Sequence, residues 1–331
     1  MSYQRYGGAE VLELETRDKP VPGAKEVLIK VHATSVTSGD RHARSLELPR
    51  GYGWLGRLVF GVFGPRRPVL GTEFSGVVEA IGEAVTEYSI GDRVSAYPGA
   101  RFGGYAEYAV MPQSAAMVPI PDTLSYEQAT TMSFGGCTAL IFLRDIGKIQ
   151  AGDDVLVQGA AGGVGSACVQ LALHFGATVT GMCSNNNMEK VTALGAHFVI
   201  ESSRKEPANI QKIYDIIIDT SGSMSYRGAE PFLKKGGRLL LVSADLPQTL
   251  MMLLTFKKNK KKGFVGYAGE RVEDMKVLLG LVNEGEYTPW IDRRYDFLDL
   301  PEAHADYDRE GKRGNWVVNV IASKMNEKGS Q

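Results

Sequence analysis

One segment constrains this chain more than any other: Asp154-Val-Leu-Val-Gln-Gly-Ala-Ala-Gly-Gly-Val-Gly-Ser166. An apolar run leads into a turn holding Gly159, Gly162, Gly163 and Gly165, and a helical pattern follows over residues 164–175. Glycine lets the backbone approach a pyrophosphate closely, and a helix N-terminus offers free N–H groups and the positive end of its dipole. A glycine-rich turn alone also serves merely to cap a helix. Here a second strand, Thr178–Cys183, ends about 20 residues beyond the turn, as a dinucleotide fingerprint requires. Ala161, Gly162, Gly163 and Val164 are therefore the candidate phosphate-binding residues.

The end of that second strand speaks to which dinucleotide. An NAD site places Asp or Glu there to hold the ribose 2′-hydroxyl. This chain has Cys183 and Ser184, then Asn185, Asn186 and Asn187, with Lys190 one helical turn further on. Without an acid, a 2′-phosphate is not repelled, and hydroxyl, amide and ammonium donors can bind it. NADP(H) is the expected cofactor. The asparagines also read as a helix N-cap, and both roles are compatible.

Around this unit, short strands (198–200, 215–219, 238–243) alternate with helices (125–145, 188–194), which implies a parallel sheet covered on both faces. The first 120 residues differ. Strand-like stretches at 26–31, 71–80, 91–94 and 104–110, three of them opened by glycine, suggest a small barrel-like β domain. After Gly266 come a helix over 271–284 and a final strand over 315–321; this tail is too small to fold alone and is expected to return to the first domain.

Composition narrows the class. Lys and Arg total 37 against 38 Asp and Glu, and a net charge of −1 argues against a nucleic-acid binder. With 44% hydrophobic residues the chain is not disordered. Three scattered cysteines without a CxxC pair make neither a disulfide framework nor a four-cysteine zinc site, and they suit a reducing compartment. The longest apolar runs fall short of the roughly 18 residues a membrane span needs, and the first residues carry no signal core. The expectation is a cytoplasmic protein with no integral membrane segment.

At this point the chain resembles the medium-chain dehydrogenase/reductase superfamily, in its zinc-free quinone oxidoreductase-like branch. The resemblance covers nearly the whole chain: Tyr6-Gly7, Glu26-Val27-Leu28, Gly71-Thr-Glu-Phe-Ser-Gly-Val78, Gly91-Asp-Arg-Val94, Gly103-Gly-Tyr-Ala-Glu-Tyr108, Thr138-Ala139-Leu140, the glycine turn, YDIIIDTSG at 214–222 and Gly236-Gly237-Arg238. It implies an α/β fold in which a Rossmann doubly wound parallel sheet (122–267) joins a GroES-like β-barrel domain split over 1–121 and 268–331. It also implies a homodimer formed along the strand near Phe264 and Tyr267.

Zinc alcohol dehydrogenases of this superfamily take a cysteine from the loop after the second barrel strand and a histidine from a Gly-His-Glu triplet. Here the loop reads Val36-Thr37-Ser38-Gly39-Asp40 and the triplet Gly71-Thr72-Glu73, so both soft ligands are missing and no metal is expected. Without a Lewis acid, reversible alcohol oxidation is hard to support. Hydride donation from NADPH to a quinone or an α,β-unsaturated carbonyl remains, because such an acceptor delocalises the incoming charge itself. Two alternatives stay open: an NADP-dependent alcohol or aldehyde dehydrogenase, and a non-enzymatic NADPH-binding sensor.

Relatives often carry Asn-Pro-x-Asp in the substrate loop. Thr37 stands for the asparagine and is expected to face substrate as a hydrogen-bond donor, while Asp40 is read as a loop-stabilising residue rather than a base. By the same resemblance Thr138, Val242 and Ser243 line the nicotinamide. Ser202 stands where relatives carry a tyrosine beside the adenosine phosphate, with Arg204 as compensation, and Asn315 lies near the cofactor phosphates. Residues 52–63, rich in aromatics and glycine, read either as a pocket wall or as packing between domains. Five lysines between Lys257 and Lys262 read as a solvated run beside a pocket lid, the alternative being contact with an anionic membrane surface.

Overall fold

The computed structural model describes residues 1–202, 212–255, 261–266 and 269–321. The first part runs β1 (Glu26–Val36), α1 (Ser38–Ser45), α2 (Gly53–Phe60), β2 (Phe74–Ile81), β3 (Arg93–Ala96), β4 (Tyr108–Pro112) and β5 (Met117–Pro119). The middle part runs α3 (Tyr126–Thr131), α4 (Ser133–Leu140), β6 (Asp154–Gln158), α5 (Gly163–His174), β7 (Thr178–Cys183), α6 (Met188–Ala193) and β8 (Phe198–Glu201). It continues with β9 (Tyr214–Asp219), α7 (Tyr226–Ala229), β10 (Leu233–Leu241), α8 (Leu246–Thr255) and β11 (Lys262–Val265). The tail holds α9 (Val272–Asn283), β12 (Ile291–Asp296), α10 (Leu300–Glu310) and β13 (Asn315–Asn319).

β6 to β11 form a six-stranded sheet in the order β11-β10-β9-β6-β7-β8, with every pairing parallel. Val155, Leu156 and Val157, Ile216 to Ile218 and Leu239 to Leu241 are all fully buried, as strands covered by helices on both faces must be. Burial of each such side chain contributes roughly 1.5–3 kcal/mol.

The second sheet has seven strands, ordered β12-β13-β1-β2-β3-β5 with β4 also on β1. β1 buries Val27, Leu28, Ile29 and Val31 and exposes only Lys30, so the alternation of its sequence is only partly matched by burial. The tail does return: β13 pairs antiparallel with β1, setting Val36 opposite Trp316. Just before β13, Gly162 and Gly314 form a bridge, and the Gly314 N–H donates to the Ala161 carbonyl at 2.7 Å. The glycine turn of one sheet is thereby stitched to the tail of the other.

Three expectations change. β1 runs five residues past the expected 26–31 stretch and delivers Thr37 at its end. Gly71 lies outside β2, at φ +100°, where a Cβ would fall 2.5 Å from the Gly104 Cα; only glycine permits that crossing. The helix expected over 125–145 divides into α3, α4 and a π-helical turn at Ile141–Ile146. The Gly135-Gly136 pair in α4 allows close packing on both sides, since a Cβ at Gly135 would meet the Gly163 carbonyl at 2.9 Å and one at Gly136 the Leu278 side chain at 2.8 Å.

Candidate active site

A cavity of about 870 Å³ lies along the seam between the two sheets. Its wall includes all twelve residues expected at the cofactor: Thr138, Ala161, Gly162, Gly163, Val164, Cys183, Ser184, Asn187, Ser202, Val242, Ser243 and Asn315.

At one end the glycines divide the work. Gly165 does not line the cavity; a Cβ there would stand 2.0 Å from the Gly159 carbonyl, so it seats α5 on the turn. Gly163 admits the tail, because a Cβ would sit 2.7 Å from Asn315 Oδ1. Gly162, the N-cap of α5, meets nothing nearer than the Gly159 carbonyl at 3.5 Å and opens onto the cavity. No side chain caps this helix. Its first N–H groups and positive dipole end therefore suit an anion.

Where β7 ends, the groups are neutral donors. Asn187 Nδ2 donates to Ser184 Oγ at 2.9 Å, and Gln158 Nε2 donates to Ser202 Oγ at 3.3 Å and Ser223 Oγ at 2.9 Å. Gln158 Oε1 is buried with no hydrogen-bond partner among the described residues. Burial pushes the Cys183 thiol up to about 11, so it stays protonated at neutral pH. An uncapped helix start, a glycine opening and neutral donors fit a nicotinamide dinucleotide. Lys190 is exposed and outside the wall, and Arg204 lies outside the described residues.

The other end is a network of side chains. Thr37 caps α1: its Oγ1 accepts the Asp40 N–H at 3.1 Å, while Asp40 Oδ2 accepts the Thr37 N–H at 3.0 Å and the hydroxyl at 2.7 Å. Asp40 Oδ1 accepts the Gly71 N–H at 2.9 Å, and Thr72 Oγ1 donates to Oδ2 at 3.2 Å. Thr37 is 1% exposed and Asp40 fully buried. Neither lines the cavity; Ser38, Gly39 and Thr72 do. The Thr37 hydroxyl thus points into the layer beneath the floor rather than into the cavity, because the capping box of α1 claims it. Asp40 ties that floor together.

Burial raises the Asp40 carboxyl above its ordinary range, against the pull of the Thr37 and Gly71 bonds. Glu73 sits beside it, accepting Ser35 Oγ at 2.5 Å and the Phe134 N–H at 2.6 Å, and burial raises it too. Lys312, which carries no motif signal, completes the group. Its Nζ donates to the Val36 carbonyl at 2.6 Å, and the residue lines the cavity. Burial lowers its ammonium, while Glu73 and Asp40 act in the opposite direction. Phe60, Phe102, Phe134 and Tyr307 give this end apolar walls. Among the described residues no group of three His, Cys, Asp or Glu could hold a metal ion.

Fold and cavity together define a two-domain dehydrogenase-type protein with its site in the seam. Known families agree. "Alcohol dehydrogenase GroES-like domain" matches residues 23–122, and "Zinc-binding dehydrogenase" matches residues 194–318. The chain is 30% identical to quinone oxidoreductase of Mus musculus over 334 residues, covering 95% of each chain. Among solved structures it is similar to the quinone oxidoreductase from Coxiella burnetii (27% identity, TM-score 0.84, 97% and 98% coverage). It is also similar to an NAD-dependent alcohol dehydrogenase (25% identity, TM-score 0.82, 97% and 99% coverage). The chain belongs to the medium-chain dehydrogenase/reductase superfamily, in its quinone oxidoreductase-like branch. It is an oxidoreductase, and the family implies a nicotinamide cofactor.

Proposed function

We propose that the protein transfers a hydride from NADPH to a quinone or an α,β-unsaturated carbonyl without a metal. The observation that carries this reading is the cavity's two-ended chemistry: an uncapped helix start with neutral donors at one end, and at the other a floor carrying one ammonium with, among the described residues, no group of three side chains able to hold a metal. The bound nicotinamide supplies the hydride. The chain's own residues do the rest. Ala161, Gly162, Gly163 and Val164 hold the pyrophosphate, and Ser184, Asn187 and Ser202 receive the 2′-phosphate. Thr138, Val242, Ser243 and Asn315 orient the nicotinamide half. Thr37 and Asp40 fix the shape of the floor from below.

Lys312 lines the same cavity, its Nζ held by the Val36 carbonyl. An ammonium in a water-poor wall stabilises negative charge as it develops on an acceptor oxygen, and one with a lowered proton affinity can also hand over the proton. The aromatic walls suit a flat acceptor. β11 is an edge strand of the parallel sheet, which supports a homodimer joined there, although Tyr267 lies outside the described residues.

Titration with NADPH and NADH tests the cofactor half: NADPH is expected to bind at least about tenfold tighter, and Ser184→Asp to reverse the order by placing an acid at the 2′-position. Preference of the unaltered protein for NADH would refute it. The alcohol dehydrogenase structure among the similar proteins keeps one alternative in view. NADP-dependent oxidation of simple alcohols, expected to be negligible, separates the two.

A further inference from the structure

Residues 48–72 contain Arg50, Arg57, Arg66 and Arg67 and not one Asp or Glu, in a chain whose net charge is −1. All four arginines are exposed, and none is ion-paired with a carboxylate among the described residues, whereas Arg41, Arg44, Arg93 and Arg144 each are. The same stretch exposes its large apolar side chains. Trp54 is 65% exposed, Val59 54%, Leu58 51% and Phe63 fully, with Leu55 and Val62 beside them. So many exposed apolar groups on one helix and loop mark an interaction surface.

The display is built rather than frayed. α2 buries only Gly56, where a Cβ would strike Leu48, and apart from Phe60 the helix turns its large apolar side chains outward. The loop after it is pinned: Tyr6 donates its hydroxyl to the Gly61 carbonyl at 2.8 Å, and the Arg66 N–H donates to the Phe60 carbonyl at 2.7 Å. Gly61, at φ +134°, allows the bend that presents Phe63. Next to α2, α8 adds exposed Leu250 and is tied on by Tyr52 to Thr249 at 3.0 Å and by the Leu246 N–H to the Arg50 carbonyl at 2.9 Å.

We infer that this face docks the protein on an anionic lipid bilayer, with Trp54, Leu58, Val59 and Phe63 in the headgroup region and the four arginines on acidic lipid phosphates. Charge complementarity selects this occupant. A tryptophan and aliphatic residues beside unpaired arginines match a negatively charged interface with an apolar layer beneath. A symmetric contact between two copies of this face would instead set four arginines against four, with no acid in the segment to answer them. Among the described residues no helix is long and apolar enough to cross a membrane. The lysine run at 257–262 lies mostly outside the described residues and is not needed here.

The docking goes beyond the proposed reaction; one consequence rests on it. Phe60, on the inner side of α2, lines the cavity with its ring tilted against that of Phe102, centroids 6.2 Å apart, so the docked face borders the acceptor end. A membrane-dissolved quinone would then enter without crossing water.

The test is flotation of the full-length protein with vesicles of pure phosphatidylcholine and of a two-to-one mixture with phosphatidylglycerol. Binding is expected to the mixture only, and to weaken with salt. Arg57→Gln, Arg66→Gln and Arg67→Gln together are expected to lower that binding by about 100-fold. Trp54→Ser with Phe63→Ser is expected to lower it at least about tenfold. In both variants turnover of a water-soluble quinone should stay as in the parent, which separates loss of docking from failure of the reaction proposal. Absence of binding to either vesicle would overturn the inference. So would binding that both variants leave intact, or a concentration-dependent dimer that Phe63→Ser abolishes without any lipid binding.

Discussion

The two ends of the cavity are made in different ways. The phosphate end is backbone: a glycine turn, an uncapped helix start and the tail strand seated against it. The end proposed for the acceptor is side chain: Thr37, Asp40 and Thr72 bond one another beneath the floor, with Glu73 held by Ser35 and Phe134 and Lys312 by the Val36 carbonyl beside them. Backbone sites tolerate little change in shape and much change in side-chain chemistry. A bonded network of side chains behaves in reverse, because removing one member strips several others of a partner at once.

The largest expected break falls on the network. Asp40→Ala leaves two N–H groups and two hydroxyls without their acceptor and should cost about 3 kcal/mol, read as a fall in Tm. Asp40→Asn keeps the shape and one acceptor, and should lose less. If Asp40 were instead the base of the reaction, Asp40→Asn would abolish turnover while leaving Tm near that of the parent.

A smaller effect separates two glycines three residues apart. Gly165→Ala drives a methyl into the Gly159 carbonyl and should cost about 2 kcal/mol of stability. Gly162→Ala meets only ordinary contact, so its stability should change by less than about 0.5 kcal/mol, while NADPH affinity falls about tenfold as the methyl blocks the approach. Equal effects of the two changes on Tm would erase the distinction between seat and opening.

The smallest effect concerns pH. Burial raises the folded Glu73 carboxyl above the 4.5 of an unfolded chain. As pH climbs past 4.5 the unfolded carboxyl ionises first, so this residue removes stability until the folded carboxyl ionises too. Glu73→Gln should match the parent at acidic pH and gain on it toward neutral pH. The gain should be on the order of 1 kcal/mol, because Lys312 offsets part of the burial cost. Parallel Tm curves for the two proteins would contradict the raised carboxyl.

The strand, glycine turn and helix proposed for phosphate were legible because their information is local. Strand, glycine turn and helix lie within residues 154–175, and glycine's freedom has few other uses at that spacing. The acceptor end draws on residues 35, 37, 40, 72, 73, 134 and 312, which only the fold brings together. Family resemblance placed Thr37 at the right loop but not in the right direction, since the capping box that turns its hydroxyl inward depends on α1, a helix the sequence reading had taken as loop. Asp40, given both as a loop stabiliser and as a catalytic candidate, bonds Thr37 in the same turn and Gly71 and Thr72 beyond it. Lys312 was missed because no pattern announces a lysine two residues before a tight glycine. Residues 52–63 were read as pocket wall or domain packing; Phe60 lines the cavity and Tyr52 bonds across to Thr249, while Trp54, Leu55, Leu58, Val59, Val62 and Phe63 face outward.

A single-turnover experiment tests the central claim most directly. Protein stripped with a chelator and loaded with NADPH is mixed with a naphthoquinone, and loss of reduced nicotinamide is followed by absorbance. The account predicts full oxidation at the same rate before and after chelation. Oxidation that stops on chelation and returns with zinc would contradict it.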